Sequence, residues 1–329
     1  MIRIAVLGCG RIGRMHSRAL ARHPRAELTH VYDIVPAVAA EVASELNVNA
    51  GNGIAEILAA PKLDAVLIAT PTATHVELIQ TVAHAGKAIF CEKPIDLDMA
   101  RVRDCERSIE GLGTTVMIGF NRRFDPSFRA LRNRVKAGEI GAVEQVIITS
   151  RDPAPPPISY IAGSGGLFRD MTIHDFDMAR YIAGDIVEVH ASGANLVDPA
   201  IGAASDVDTA MLMLRARSGA LVHISNSRRC AYGYDQRLEV FGSAGMLLAG
   251  NQRATTVRRF GPDSTDAADV VLPFFIERYA QAYAAEIDHF LDCVAGGVTP
   301  LTSFADGVEA LRLADAAQES LESGQPVRL

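Results

Sequence analysis

Ile2-Arg3-Ile4-Ala5-Val6-Leu7-Gly8-Cys9-Gly10-Arg11-Ile12-Gly13 decides the fold of this 329-residue chain. Ile2–Leu7 is a short, nearly continuous apolar run, as expected of a strand buried on both faces. Gly8–Gly13 then opens a helix-like stretch over Ile12–Arg22. Each glycine has a mechanical task in holding a dinucleotide: Gly8 permits a tight turn, Gly10 lets the backbone approach a pyrophosphate, and Gly13 lets the helix pack close to the sheet. The helix N-terminus offers unpaired N–H groups and partial positive charge to phosphates. Gly8, Gly10, Arg11, Ile12 and Gly13 are therefore candidate cofactor contacts. Asp33 stands twenty positions after Gly13, at the end of a second strand over Leu28–Tyr32. A carboxylate there accepts hydrogen bonds from a ribose and repels the extra phosphate of NADP. Ile34, Val35 and Pro36 supply no compensating cation, so the expected cofactor is NAD. A ligand-free glycine turn is the bland alternative, and the flanking strand, helix and acid argue against it.

The alternation continues outward. Strands are expected at Ala65–Ala69, Ala88–Cys91 and Thr115–Gly119, with helices at Pro36–Leu46, Val76–Ala85 and Asp98–Glu110. Such alternation builds a doubly wound parallel sheet with right-handed crossovers. After Phe120 the pattern changes. A helix is expected over Pro126–Lys136, a strand over Ala142–Ser150, an extended loop over the four-proline segment Asp152–Pro157, and a helix over Leu167–Ile182. Strands then follow without intervening helices, at Ile186–Ala194, Asp206–Arg215, Ala220–Arg228 and Arg237–Phe241, which points to a largely antiparallel sheet. Ile276, Tyr279, Tyr283, Ile287, Phe290 and Val294 recur at helical spacing, and Ser303–Glu322 reads as a last helix. The fold class is α/β: a Rossmann domain over 1–120, an α+β domain with an open, mostly antiparallel sheet over 121–300, and a C-terminal helix and tail over 301–329 packing back toward the first domain.

Composition narrows the function. Hydrophobic residues make up 49% and charged residues 22%, ordinary for a folded enzyme. A net charge of −7 argues against a nucleic-acid surface or an anionic membrane partner. No apolar run approaches the roughly 20 residues that span a bilayer, and the N-terminus enters a strand directly, with no signal-peptide pattern. Cys9, Cys91, Cys105, Cys230 and Cys293 form no CxxC pair, so neither a zinc site nor a disulfide framework is expected. A reduced, cytoplasmic protein is the simplest expectation.

Three further segments can carry chemistry. Thr70-Pro71-Thr72-Ala73-Thr74-His75 follows the third strand, where a cofactor crosses the sheet edge; Thr74 reads as a helix cap, and Thr70, Pro71 and His75 are candidate contacts. Glu92-Lys93-Pro94 follows the fourth strand. Glu92 and Lys93 point toward the cofactor from a carboxyl strand end, although a lysine there is commonly only a solvated charge. Asp170-Met171-Thr172-Ile173-His174 puts a carboxylate and an imidazole one helical turn apart, where the carboxylate can orient the ring; a surface ion pair is the plain alternative. Two ligands without a third make a metal site weak. Oxidising a secondary alcohol removes a proton from oxygen and a hydride from carbon, and nicotinamide takes the hydride. His174 is a candidate base oriented by Asp170, and Lys93 a candidate cation beside the developing alkoxide. Lys93 can equally be the proton acceptor if its pKa is lowered, and the residue types leave both assignments open.

Together these segments resemble the Gfo/Idh/MocA oxidoreductases over the whole chain. Gly119-Phe120-Asn121-Arg122-Arg123-Phe124-Asp125, Ser150-Arg151-Asp152-Pro153, Gly165–Asp177 and Tyr232-Gly233-Tyr234-Asp235 are most similar to the inositol 2-dehydrogenase branch. The resemblance implies NAD-dependent oxidation of myo-inositol at C2, a catalytic group of Lys93, Asp170 and His174, polyol contacts at Asn121, Asp152 and Tyr234, and dimers or tetramers formed through the C-terminal sheet. Tyr181 stands where many members have Trp, and Ile201–Ser205 is poorer in Gly and Asp than in close relatives. Another polyol or sugar as substrate, such as scyllo-inositol or an aldose, and a non-catalytic NAD-binding regulator are the competing expectations.

Overall fold

The computed structural model describes residues 1–329 and divides into two compact units. The first comprises Met1–Phe120 and Ala284–Leu311. Its strands are β1 (Ile2–Leu7), β2 (Ala26–Tyr32), β3 (Asn49–Ala50), β4 (Ala65–Ile68), β5 (Ala88–Cys91) and β6 (Val116–Ile118), and its sheet order is β3-β2-β1-β4-β5-β6. Every pairing is parallel. Ile4–Val6 and Ala65–Ile68 are fully buried, as continuous apolar runs between two helical layers must be. The helices are α1 (Arg11–Ala21), α2 (Pro36–Leu46), α3 (Ile54–Leu58), α4 (His75–His84) and α5 (Met99–Ile109). Strand order reverses between β1 and β4, the place where doubly wound sheets bind ligands. Backbone bonds from Gly8 N to Tyr32 O and from Ala69 N to Leu7 O keep the carboxyl ends level there. β3 and α3 were not expected. Both are short, and Asn49 and Ala50 are exposed, so neither carries an apolar period.

The second unit comprises Asn121–Tyr283 and Arg312–Leu329. It begins with α6 (Pro126–Lys136), β7 (Val143–Arg151) and α7 (Ile158–Ser164). A π-helical turn over Phe168–Thr172 leads into α8 (Ile173–Ala183). Then come β8 (Ile186–Ala194), α9 (Pro199–Ala203), β9 (Thr209–Ala216), β10 (Leu221–Ser227), β11 (Asp235–Gly242), β12 (Gly245–Ala249), the hairpin β13 (Arg258–Gly261) and β14 (Ser264–Ala268), α10 (Phe275–Arg278), α11 (Ala280–Val294), α12 (Phe304–Ser323) and β15 (Val327–Arg328). The seven-stranded sheet runs β12-β11-β7-β10-β9-β8-β15. It is antiparallel except for the parallel pair β7 and β10. One face is covered: α8 lies across β7, β8 and β10, and Ala210, Leu212 and Leu214 of β9 are buried while Met211 and Met213 are exposed.

Two expectations change. The helix anticipated over Leu167–Ile182 is a π-helical turn followed by α8, and α7 precedes it, closed by Gly165 and Gly166 at φ +83° and +81°. The chain also returns to the first unit at Ala284 rather than after residue 300, and leaves it again after Leu311. The apolar face of α11 explains the return: Ile287, Phe290 and Leu291 are buried, and Phe290 meets Phe90 of β5 edge-on at 5.7 Å. Asp288 and Asp292 of the same helix bind Arg25.

Candidate active site

The glycine turn has the geometry its sequence calls for. Gly8 sits at φ +94°, and a Cβ there would lie 2.4 Å from Ala69 O. A Cβ on Gly13 would lie 1.8 Å from Gly8 O, so only glycine lets α1 start this close to β1. Gly10 is different: a Cβ there would meet nothing within 4 Å. Gly10 is also the N-cap of α1, and no side chain caps it. An open glycine beside uncapped helix N–H groups fits a dinucleotide pyrophosphate. Asp33 accepts from Cys9 N and from Val35 N, both at 2.9 Å, so it also braces the turn it follows. Ile34 and Val35 beyond it are exposed, and nearby Arg14 is engaged with Glu41 and Cys9 O.

The next two loops are joined by His75. Its ring is buried, with Nδ1 2.8 Å from Pro94 O and Nε2 2.8 Å from Thr70 O, and burial lowers its pKa. An expected cofactor contact thus sits between the Thr70 loop and the loop of Lys93, and its one ring N–H donates to one of the two carbonyls. Thr74 does not cap α4; its hydroxyl bonds Thr70 Oγ1 and Pro71 O within the turn. Glu92 meets His16 Nε2 of α1 at 2.8 Å, and Lys93 is partly buried.

In the second unit the sheet register assembles a polar cluster. Arg151 pairs with Ser227 and with Asp235, so the residues beyond these strand ends (Asp152, Arg228 and Tyr234) meet at one edge of the sheet. The π-helical turn brings Asp170 to that edge, and His174 stands in the first turn of α8. Asp170 accepts from Tyr160 Oη at 2.9 Å and from Arg228 Nη1 at 3.3 Å. Asp175 is buried and bonded to Arg122, Ser150 and Asn226. Asp177 takes both prongs of Arg123, at 2.9 and 2.6 Å. Asn121 is buried at the start of the Asn121–Phe124 turn, whose Arg122 reaches the same cluster. Asp152 keeps part of its surface accessible, yet burial pushes its carboxyl up to about 7; Asp170 and Asp175 add to the rise, and Arg228 and Arg122 oppose it. Burial also holds the Tyr234 hydroxyl well above its ordinary pKa, so it stays neutral. Tyr160, Asp206 and Arg228 escaped the sequence analysis. Arg228-Arg229 reads as two surface charges until the strand register turns the first inward.

Residues 2–120 match the family model described as an oxidoreductase family with an NAD-binding Rossmann fold, and residues 128–248 match the GFO/IDH/MocA C-terminal domain. The chain belongs to the GFO/IDH/MocA oxidoreductase family. Its cofactor is NAD. Over 329 residues it is 47% identical to inositol 2-dehydrogenase of Rhizobium meliloti, covering 100% of this chain and 99% of that one. It superimposes with a TM-score of 0.96 on a myo-inositol dehydrogenase from Corynebacterium glutamicum, at 48% identity and with 100% and 99% of the two chains covered. A scyllo-inositol dehydrogenase from Lactobacillus casei, solved with bound NAD(H) and scyllo-inositol, gives a TM-score of 0.91 at 29% identity, over 100% of this chain and 99% of that one. Among GFO/IDH/MocA proteins, this chain is therefore similar to inositol dehydrogenases along its whole length.

Proposed function

We propose that this chain is an NAD-dependent inositol 2-dehydrogenase that oxidises the C2 hydroxyl of myo-inositol to 2-keto-myo-inositol. The observation that carries this assignment is the whole-length likeness to inositol 2-dehydrogenase at 47% identity. Bound nicotinamide supplies a hydride acceptor. The protein supplies the rest. Gly8, Gly10, Arg11, Ile12 and Gly13 hold the pyrophosphate, Asp33 the adenosine ribose, and Thr70, Pro71, Glu92 and Lys93 line the path toward the nicotinamide. Asp33 and the exposed apolar Ile34 and Val35 support NAD over NADP. Lys93 stabilises the developing alkoxide, His174 takes the hydroxyl proton, and the Asp170 carboxylate supplies negative charge that favours the imidazolium so formed. Asn121, Asp152 and Tyr234 bind the remaining ring hydroxyls; a neutral tyrosine hydroxyl both donates and accepts, which suits a polyol.

The likeness to a scyllo-inositol dehydrogenase supports a second substrate, scyllo-inositol. Comparing kcat/KM for NAD-linked oxidation of myo-inositol, scyllo-inositol and aldoses separates them. Myo-inositol is expected to lead; an aldose ahead of every inositol overturns the assignment, and no NADH from any polyol favours a regulator. The open face of the seven-stranded sheet exposes Ile147, Met211, Met213, Phe241, Met246 and Leu248, an apolar surface that supports a homo-oligomer, a dimer or tetramer, assembled there. Five buried cysteines, none in a disulfide, support a reducing, cytoplasmic setting.

A further inference from the structure

We propose that Arg228 is a positioning residue for the catalytic group: from the end of β10 its guanidinium holds the Asp170 carboxylate in place and sets the balance of charge at this strand edge. This rests on the assignment of Asp170 to the catalytic group. Arg228 is 0% exposed. Its Nη1 lies 3.3 Å from Asp170 Oδ2, and its Nη2 lies 3.8 Å from Asp206 Oδ2. Nε and Nη2 are buried with no hydrogen-bond partner, as is Asp206 Oδ2. One cation thus faces carboxylates from three segments: Asp152 after β7, Asp170 in the π-helical turn, and Asp206 before β9. Tyr160 of α7 donates to Asp170, and Arg122, Asp175 and Tyr234 complete the charged and titratable surroundings.

Three carboxylates cannot all ionise cheaply around one buried cation. Asp152 shows that cost: burial raises its carboxyl to about 7, Asp170 and Asp175 add to the rise, and Arg228 and Arg122 oppose it. Asp206 has a second task that fixes the geometry. Its Oδ1 accepts from Leu167 N at 2.9 Å, so it anchors the chain just before the π-helical turn that carries Asp170. A planar fork can address two carboxylates at once where an ammonium is a single point of charge.

The test is the pH profile of kcat/KM for the full-length enzyme with NAD and myo-inositol. Arg228→Met removes the cation, and the acid limb is expected to move up by about one pH unit or more. Arg228→Lys keeps the charge but loses the fork; its limb is expected near that of the wild type, with kcat lower by about 10- to 100-fold. Asp206→Asn keeps the bond to Leu167 N and removes a negative charge, so its limb is expected to move down. NAD affinity is expected to be unchanged in all three. A role confined to packing produces no opposite shifts. The proposal is overturned if the Met and Asn variants shift the limb in the same direction, or if neither shifts it. Should Arg228→Met fail to fold, as judged by circular dichroism and NAD binding, Asp206→Asn decides the matter: a downward shift of its limb supports the proposal, and no shift or an upward one overturns it. If the wild type oxidises no polyol, the functional assignment fails separately.

Discussion

Lys93 and His174 supply the proton and charge handling in the proposed reaction, and neither lies in the glycine turn that receives the cofactor. Alanine at either position is expected to reduce kcat by about 10²–10⁴-fold while the NAD dissociation constant, followed by fluorescence titration, barely changes. A Lys93→Ala variant with near-normal turnover would place the chemistry elsewhere. Asp33 has two tasks, ribose recognition and the bond to Cys9 N, so Asp33→Ala is expected to weaken NAD, relax discrimination against NADP and lower stability by about 1–3 kcal/mol. Asp152 governs a different observable. Its carboxyl rises from 3.8 to about 7 on folding. Below 3.8 both folded and unfolded states carry the proton; between the two values only the folded state does. Its contribution to stability therefore falls as pH rises through that window, and the full penalty is present above about 7. Asp152→Asn is expected to flatten that slope and to gain stability relative to wild type above neutral pH. Thermal midpoints measured across the window check this, and parallel curves for the two proteins would contradict it. His75 shows what a residue list leaves out: its place in Thr70–His75 was visible, but its clamp on Pro94 O depends on a loop nineteen residues away.

At the scale of the element, the turn from β1 to α1 separates shape from ligand. Gly8→Ala forces a side chain onto φ +94° and into Ala69 O, and Gly13→Ala drives one into Gly8 O. Each is expected to destabilise the protein by about 1–3 kcal/mol or more. Gly10→Ala meets open space at φ −69°, so it is expected to fold like the wild type yet bind NAD more weakly. Paired thermal melts and NAD titrations distinguish the two classes; a Gly10 variant with normal affinity would remove the pyrophosphate from this turn. The turn was legible because its chemistry is local, with strand, glycines and helix all within a dozen residues. The π-helical turn was not. Its apolar spacing is close to that of an α-helix, and the extra residue per turn is stabilised by distant partners such as Asn226, which accepts from Thr172 Oγ1 at 2.7 Å.

For the whole molecule, the open sheet face is the feature with the widest consequence. Met213 and Met211 alternate with the buried Leu212 and Leu214, so β9 has one face in the core and one apolar face left outside. Met213→Glu combined with Leu248→Glu is expected to shift the protein from oligomer to monomer, with little change in its own fold, as read by light scattering and circular dichroism. An unchanged mass would show that this face is not the interface. No helix is long and apolar enough to cross a membrane. What the amino-acid order determined by itself was everything carried by short-range repetition: the α/β alternation, the parallel sheet, the glycine cradle with its acid, and the motifs that point to a dehydrogenase. Tertiary structure alone decided the return of α11 to the first sheet, the parallel pairing of β7 with β10, and the meeting of Asp152, Asp170, Asp206 and Arg228 at one strand edge. These depend on register and packing between segments tens of residues apart, where a charged side chain looks the same in sequence whether it ends in water or beneath a carboxylate.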